Sequence, residues 1–158
     1  MIDPSSPPDR YRACVGILLL NDADEIFVGE RLDAPGAWQM PQGGIDPGEN
    51  LVEAAFRELR EETGIEKAEL LGVDNTWRTY TLPRRISHQA WGAKYLGQAQ
   101  IWVALRFIGE DSDIDIATEE PEFSRWKWTN AENLVREIVD FKRGIYKDVL
   151  ATYRSWSV

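Results

Sequence analysis

Glu58, Glu61 and Glu62 lie at i, i+3 and i+4 in the run Arg57-Glu58-Leu59-Arg60-Glu61-Glu62-Thr63-Gly64-Ile65. An α-helix brings residues at that spacing onto one face. Three carboxylates crowded there repel one another, and a divalent cation with oxygen ligands would relieve the repulsion. The run follows, at a fixed distance, a glycine-rich turn, Gly43-Gly44-Ile45-Asp46-Pro47-Gly48-Glu49. Gly43 and Gly44 let the backbone approach a ligand closely. Arg57 can pair with Glu49 and lock the turn onto the helix. On their own, glutamates on a helix are usually a solvated face; the turn ahead of them and Gly64 behind them change that reading.

The surrounding elements follow from periodicity. Asn50 is a good N-cap with Glu53 in the capping-box position, and Gly64 closes the helix as a C′ glycine. Val52, Phe56, Leu59 and Thr63 form an apolar stripe, and at about 100° per residue the three glutamates fall on a different stripe, near Ala54 and Ala55. Val15 to Leu20 is a continuous apolar run suited to a buried strand, and Glu25 to Arg31 a returning strand after the turn Asn21-Asp22-Ala23-Asp24. Trp38 to Met40 reads as a short strand leading into the glycine turn. Leu70 to Trp77 and Ala99 to Ile108 read as further strands, the second with alternating Ile101, Val103, Leu105 and Phe107. Arg78 to Gln98 reads as loops around a short strand, Asp111 to Glu122 as an acidic loop and Trp126 to Trp128 as a short strand. Thr129 with Glu132 suggests a second capping box, and Lys142 to Tyr153 a C-terminal helix with Ile145, Val149 and Tyr153 on one side. Interleaved strands and helices predict an α/β fold, a mixed sheet between helices.

The bulk properties narrow the function. At 158 residues, 43% hydrophobic and 28% charged, the chain suits one globular domain with a real core. Residues 1–10, rich in Pro and Ser, read as a loose tail without the features of a signal peptide, and residues 11–158 as the domain. No apolar run approaches a membrane span, so no membrane partner is expected. Cys14 is the only cysteine and reads as a small buried hydrophobe, which fits a reducing cytoplasm. With His88 as the only histidine, a Cys/His zinc site is excluded, and His88 itself reads as a surface loop residue. A net charge of −9 opposes broad electrostatic binding of nucleic acid, and of DNA in particular. It leaves room for an anionic substrate at a local site where metal ions or a few Arg and Lys residues supply positive charge.

The spacing Gly43, five residues, Glu49, seven residues, Arg57-Glu58-Leu59, one residue, Glu61-Glu62, one residue, Gly64-Ile65 is similar to the Nudix box, the signature of the Nudix hydrolases, at every fixed position over residues 43–65. The resemblance implies an α/β/α sandwich with a central mixed sheet. It implies hydrolysis of a nucleoside diphosphate linked to another group, with Glu58, Glu61 and Glu62 carrying magnesium, for which manganese can substitute. Magnesium suits this because it prefers hard oxygen ligands and phosphate partners. A carboxylate must accept a proton from the attacking water, and Glu58, Glu62 and Glu122 are the candidates. Arg57, which holds the box together, is grouped with them as a catalytic candidate.

Outside the box, Trp38-Gln39-Met40-Pro41-Gln42-Gly43-Gly44, Gly97-Gln98-Ala99-Gln100, Pro121-Glu122-Phe123 and Phe141-Lys142-Arg143 resemble one subgroup, which contains bacterial RNA 5′-pyrophosphohydrolases and plant-type diadenosine tetraphosphate hydrolases. By that resemblance Glu122 adds a metal-binding or catalytic carboxylate from a loop, against the plainer reading of one more acid beside Glu119 and Glu120. Arg12, Arg31, Tyr80, Phe141 and Lys142 fall where the RNA-processing members contact the 5′ phosphates and first bases. Arginine and lysine grip phosphates and aromatic rings stack on bases. The alternatives are core aromatics for Tyr80 and Phe141 and strand-edge charges for Arg12 and Arg31.

Met1-Ile2-Asp3, Leu82-Pro83-Arg84-Arg85 and Phe141-Lys142-Arg143 lean toward the RNA enzymes. Thr79-Tyr80 and Gly97-Gln98-Ala99-Gln100 lean toward the dinucleotide hydrolases, and Ala37 stands where some RNA enzymes carry a serine. The leading expectation is removal of pyrophosphate from 5′-triphosphorylated RNA, a step that helps initiate mRNA decay, with dinucleoside polyphosphates as the alternative substrate. A free-nucleotide housekeeping hydrolase and a non-catalytic nucleotide-binding module are the further readings.

Overall fold

The computed structural model describes residues 2–92 and 94–158. Met1, part of the N-terminal motif and of the tail 1–10, lies outside them. Two long strands form the spine, β1 (Tyr11–Leu20) and β7 (Gly97–Phe107), which run parallel and in register from Tyr11 opposite Gly97 to Leu20 opposite Arg106. Both are buried on both faces, which is why Val15 to Leu20 reads as an unbroken apolar run.

Around this pair the sheet is antiparallel. β2 (Ile26–Arg31) returns along β1, and β3 (Trp38–Gln39) and β8 (Phe123–Thr129) both pair with β2. β4 (Gln42–Gly44) pairs with the first half of β1, and β5 (Ala68–Val73) and β6 (Arg78–Thr81) pair with β7.

Side-chain alternation sorts the spine into two cores. Val15, Ile17 and Leu19 of β1 meet Leu51, Ala54, Ala55 and Leu59 of α1 (Leu51–Thr63) on one face. Leu18 and Leu20, with Trp102 of β7, meet Leu134 of α3 (Ala131–Glu137) and Ile145, Tyr146 and Val149 of α4 (Asp140–Thr152) on the other. The result is the α/β/α sandwich with a mixed sheet. No helix among the described residues is long and apolar enough to cross a membrane. Ile2 packs at the edge of the first core, and its N–H donates to the Asn75 side chain at 2.5 Å.

Helix α1 is capped as its sequence requires. The Asn50 Oδ1 accepts from the Glu53 N–H at 2.8 Å, and Gly64 closes the other end at φ 70°, donating to Arg60 O. The stripe, however, is rotated from the expected one. Ala54 and Ala55 are fully buried with Leu51, Leu59 and Thr63, while Val52 and Phe56 are only partly buried. Small residues face the sheet because the helix packs close to it. Glu62 therefore shares the buried face instead of standing on a separate one.

Other expectations need correction. The segment Arg78 to Gln98 holds a helix, α2 (Arg84–Trp91), as well as β6. Ser87 is its only buried residue, so no core-facing stripe announces it. His88 is exposed on this helix, not on a loop. Asn130, not Thr129, caps α3, accepting from the Asn133 N–H at 2.9 Å. Thr129 is committed to the sheet opposite Ile26. β5 starts at Ala68 and stops at Val73, and a register shift between Leu70 and Gly72 breaks its alternation. The C-terminal helix starts at Asp140.

Candidate active site

The glycine turn and α1 are bolted together by Arg57. Its guanidinium donates to both carboxylate oxygens of Glu49, at 2.7 and 2.9 Å, and to the Gly44 carbonyl at 2.8 Å. It also donates to Glu58 at 2.9 Å and Glu61 at 3.1 Å. Glu49 is held below the usual carboxylate range mainly by these Arg57 hydrogen bonds. In turn the Glu49 Oε1 accepts from the Asp46 N–H at 3.0 Å, which closes the turn.

The glycines make room for side chains. Gly43 pairs with Val15, and a Cβ there would land on the Glu58 carboxylate. At Gly44 a Cβ would meet the Arg12 guanidinium. The backbone thus cedes its own side-chain volume to one acid and one base of the cleft.

Glu62 is the most deeply buried of the cleft carboxylates. It is 6% exposed, and its Oε2 is buried without a hydrogen-bond partner. Burial pushes its pKa well above the usual range, and the Glu58 and Glu122 carboxylates push it further. The Gln42 backbone N–H and Lys142 oppose this only in part. Burial also raises the Glu58 carboxyl, against the pull of Arg57, and raises Glu122, with Asp33 adding to it. As placed, Arg57 occupies one oxygen each of Glu58 and Glu61. No three acidic, His or Cys side chains among the described residues already enclose a cation position. The donor set nonetheless fits a hard divalent cation, since crowded carboxylates with an unsatisfied buried oxygen are what such an ion neutralises.

Opposite the acids stands a basic and aromatic wall. Lys142 is buried, and its Nζ donates to Gln39 Oε1 at 3.1 Å and Gln42 Oε1 at 3.4 Å. Burial, then the Arg31 charge, pulls its pKa down to about 8. Its ammonium lies 5.6 Å from the centroid of the Tyr80 ring. Tyr80 is buried, with the more exposed Phe141 ring tilted beside it at 5.4 Å. Arg31 forms a two-point ion pair with Asp33 at 2.9 and 2.6 Å. The loop carrying Glu122 is tied down by its carbonyl, which accepts from the Leu32 N–H at 3.0 Å.

One cleft of about 650 Å³ is lined by every candidate residue from the sequence except Arg57, which lies behind it as the brace. Cys14 lies fully buried beneath the Arg12 side chain, its thiol pushed up to about 11, chiefly by burial. Two groupings at the cleft emerge only in the fold, although the sequence motifs contain some of their residues. One is a glutamine ladder: Gln100 donates to Gln42 Oε1 at 2.6 Å and to Gln98 Oε1 at 3.3 Å, and accepts from the Trp102 indole at 3.2 Å. Its signal was polar residues at alternate positions of an otherwise apolar strand. The other is the α2 wall, with Ile86, Gln89 and Ala90 facing the cleft at helical spacing, Trp91 at its end and Leu82 just ahead of it.

Residues 10–149 match the NUDIX domain family. The chain is 51% identical over 156 residues to an "RNA pyrophosphohydrolase" of Cereibacter sphaeroides, covering 97% of this chain and 95% of that protein. It is 48% identical to an RNA pyrophosphohydrolase of Rhodospirillum rubrum, over 94% of this chain and 90% of that one. "Nudix hydrolase 26, chloroplastic" of Arabidopsis thaliana is 45% identical, over 95% of this chain and 72% of that one. Among solved structures, the E. coli dihydroneopterin triphosphate pyrophosphohydrolase superposes with a TM-score of 0.72 at 19% identity, covering 90% of this chain and 98% of that one. A C. elegans Ap4A hydrolase superposes at 0.63 and 18%, covering 90% and 99%. At such identities the superpositions speak to the fold alone.

Proposed function

The chain belongs to the Nudix family, and on that premise we propose that it is a magnesium-dependent RNA 5′-pyrophosphohydrolase. The observation that carries this reading is the buried, unpartnered Glu62 Oε2 among the Glu58 and Glu122 carboxylates, facing a wall that offers Arg12, Arg31 and Lys142. That cleft suits a polyphosphate with acid-bound metal at one end and guanidinium and ammonium groups at the other.

Glu58, Glu61, Glu62 and Glu122 would hold the divalent metal. When bound, it neutralises the phosphates and lowers the pKa of a coordinated water. The chain's own groups do the rest. Arg12, Arg31 and Lys142 bind phosphate oxygens, Arg31 exchanging its Asp33 partner for substrate. Tyr80 and Phe141 stack on a 5′ base. A carboxylate of Glu58, Glu62 or Glu122 accepts the proton of the attacking water. Water adds at phosphorus, the phosphoanhydride P–O bond breaks, and pyrophosphate leaves a 5′-monophosphorylated end. The buried single thiol suits a reducing cytoplasm, where nascent transcripts with 5′ triphosphates are found.

The tilted Tyr80–Phe141 pair would receive a nucleoside of a dinucleoside polyphosphate equally well, so we expect diadenosine tetraphosphate to be cleaved too. The test is kcat/KM, with magnesium, on 5′-triphosphorylated RNA, diadenosine tetraphosphate and free nucleoside triphosphates side by side. RNA is expected to lead. If RNA proves the poorest of the three, the RNA assignment fails while the hydrolase reading stands.

A further inference from the structure

The charge of this chain is unevenly placed. It has no Asp or Glu between Asp74 and Glu110, its longest stretch without a carboxylate, in a protein of net charge −9. That stretch carries Arg78, Arg84, Arg85, Lys94 and Arg106. Arg78 is spent on Asp74 and Asp148, and Arg106 on Asp24. Arg84 and Arg85 are exposed at the start of α2, and neither joins an ion pair among the described residues. Lys94, just beyond the helix, is exposed and lies 5.2 Å from the centroid of the Tyr95 ring.

Helix α2 is also oddly built. It buries only Ser87, and it has no side-chain cap at its N-terminus. The face that carries Ile86, Gln89 and Ala90 looks into the cleft. Arg85 lies one helical turn before Gln89 and so borders that face. Ile86 is 39% exposed, as is Phe141 elsewhere in the same cleft. A helix that contributes so little to the core has its apolar and basic sides available for something else.

We propose that α2 is a track for the RNA chain beyond its 5′-terminal nucleotides. Arg84 and Arg85, helped by Lys94, hold downstream phosphates, and Ile86 and Trp91 pack against downstream sugars or bases. The inference rests on the RNA reading above and deepens it. The catalytic end of the cleft is occupied in the same way by a dinucleotide and by an RNA end. Only a polynucleotide extends past it to α2. The basic rim therefore selects for chain length, and the charge that would otherwise repel RNA is overcome locally. Charge complementarity and continuity with the cleft favour a polynucleotide over an acidic protein segment, which would have no reason to begin where the polyphosphate ends.

The experiment uses the full chain with Arg84→Ala/Arg85→Ala and, separately, Arg84→Glu/Arg85→Glu. Both positions are exposed, so folding is checked simply by an unchanged melting temperature. Substrates are a 5′-triphosphorylated dinucleotide, a 5′-triphosphorylated RNA of about ten nucleotides and diadenosine tetraphosphate, each assayed over a range of salt. Two phosphate contacts on single-stranded RNA contribute about 0.7 each to the slope of log(kcat/KM) against log[salt]. The alanine pair should flatten the long-RNA slope by about 1.4 and lower kcat/KM on long RNA about tenfold at low salt. The glutamate pair should lower it further, and both short substrates should be unaffected. Equal losses on all three substrates, or no loss on long RNA, would overturn the track. If the wild type cleaves diadenosine tetraphosphate but no RNA of either length, the RNA reading and the track fall together. If it cleaves both RNA lengths equally and the variants are indifferent, the track falls and the RNA reading stands.

Discussion

Gly43→Ala separates the fold from the chemistry in this protein. Gly43 lies in β4 opposite Val15, with a backbone conformation that alanine also adopts, so the substitution introduces no backbone strain. The added methyl instead lands on the Glu58 carboxylate. That group is the end of a flexible side chain, so it can rotate away while the strand stays in place. The displaced Glu58 loses its 2.9 Å bond to Arg57, at a carboxylate whose side chain is 12% exposed. A charge-assisted hydrogen bond contributes about 1.5–3 kcal/mol, and an off-rotamer side chain costs about 0.5–1.5 kcal/mol. Renewed hydration of Glu58 offsets part of this, because burial already disfavours its charge. The net loss should be about 1–3 kcal/mol, and at about 2–4 °C per kcal/mol the melting temperature should fall by about 2–12 °C. Activity should suffer far more, since misplacing a reacting group by about 1 Å costs on the order of a hundredfold. The assay pairs thermal unfolding with magnesium-dependent phosphate release. A variant that keeps kcat/KM within about threefold of wild type would refute the placement of Glu58 at the reaction centre. A variant that fails to fold would refute the claim that the methyl is absorbed by a side chain.

Glu62→Gln should abolish magnesium-dependent turnover, yet raise the melting temperature of the metal-free protein at neutral pH by a few degrees, because the neutral amide escapes the burial cost and the Glu58 and Glu122 repulsion that oppose a charge there. The pH dependence follows. A carboxyl raised in the folded state stays protonated while the unfolded one ionises, so metal-free wild type should lose stability as pH rises above about 4.5 and until Glu62 itself ionises. The Gln variant should lack that decline, and an identical pH profile would refute the placement. Lys142, its pKa lowered to about 8, should lose its charge as pH rises through that value, so KM for triphosphorylated RNA should rise there. Lys142→Arg should remove this limb, and Lys142→Ala should lower kcat/KM on RNA without abolishing turnover. Unchanged kinetics in both variants would take the residue out of the phosphate site.

What the sequence shows of this molecule depends on whether a constraint is local. The Asn50 cap, the Gly64 stop and the Arg57–Glu49 brace are written within a few residues of one another, so their spacing alone exposes them. The spine strands are legible because they are buried on both faces and must be apolar throughout. Helix α2 is not legible in this way. Its role is set by the cleft rather than by the core, so it shows no buried stripe, and Pro83 and Gly92 at its ends read as loop signals. The glutamines stand in recognisable motifs, but their contact as a ladder is hidden for a related reason. Gln42, Gln98 and Gln100 come from two strands and make sense only once β4 and β7 flank β1. The rotated stripe of α1 shows a limit of hydropathy itself. Ala54 and Ala55 are weakly apolar, yet they occupy the closest approach to the sheet, and the larger Val52 and Phe56 are pushed to its margin.

That rotation has a consequence for the acids. A helix set close to the sheet by alanines carries whatever stands one and two turns further along into the same seam, and here that is Glu58 and Glu62. For stability alone a leucine would serve better at position 62, as Leu59 does one turn earlier. The chain instead keeps a carboxylate there with an oxygen that no protein donor reaches, and it surrounds that carboxylate with further acids. Lys142, the base whose charge acts on Glu62, is turned toward Gln39 and Gln42 and quenches the charge only in part. Arg57 could have been the neutralising partner, yet its five donor contacts are taken by Glu49, Gly44, Glu58 and Glu61. The fold therefore withholds from Glu62 the partners that a purely structural carboxylate would be given. A ligand that brings positive charge to this seam would stabilise the protein by binding, and under the proposed function that ligand is the divalent cation. On the reading proposed above, the packing of α1 would make the cation a prerequisite for the phosphates, which Arg12, Arg31 and Lys142 would then hold from the other side of the cleft.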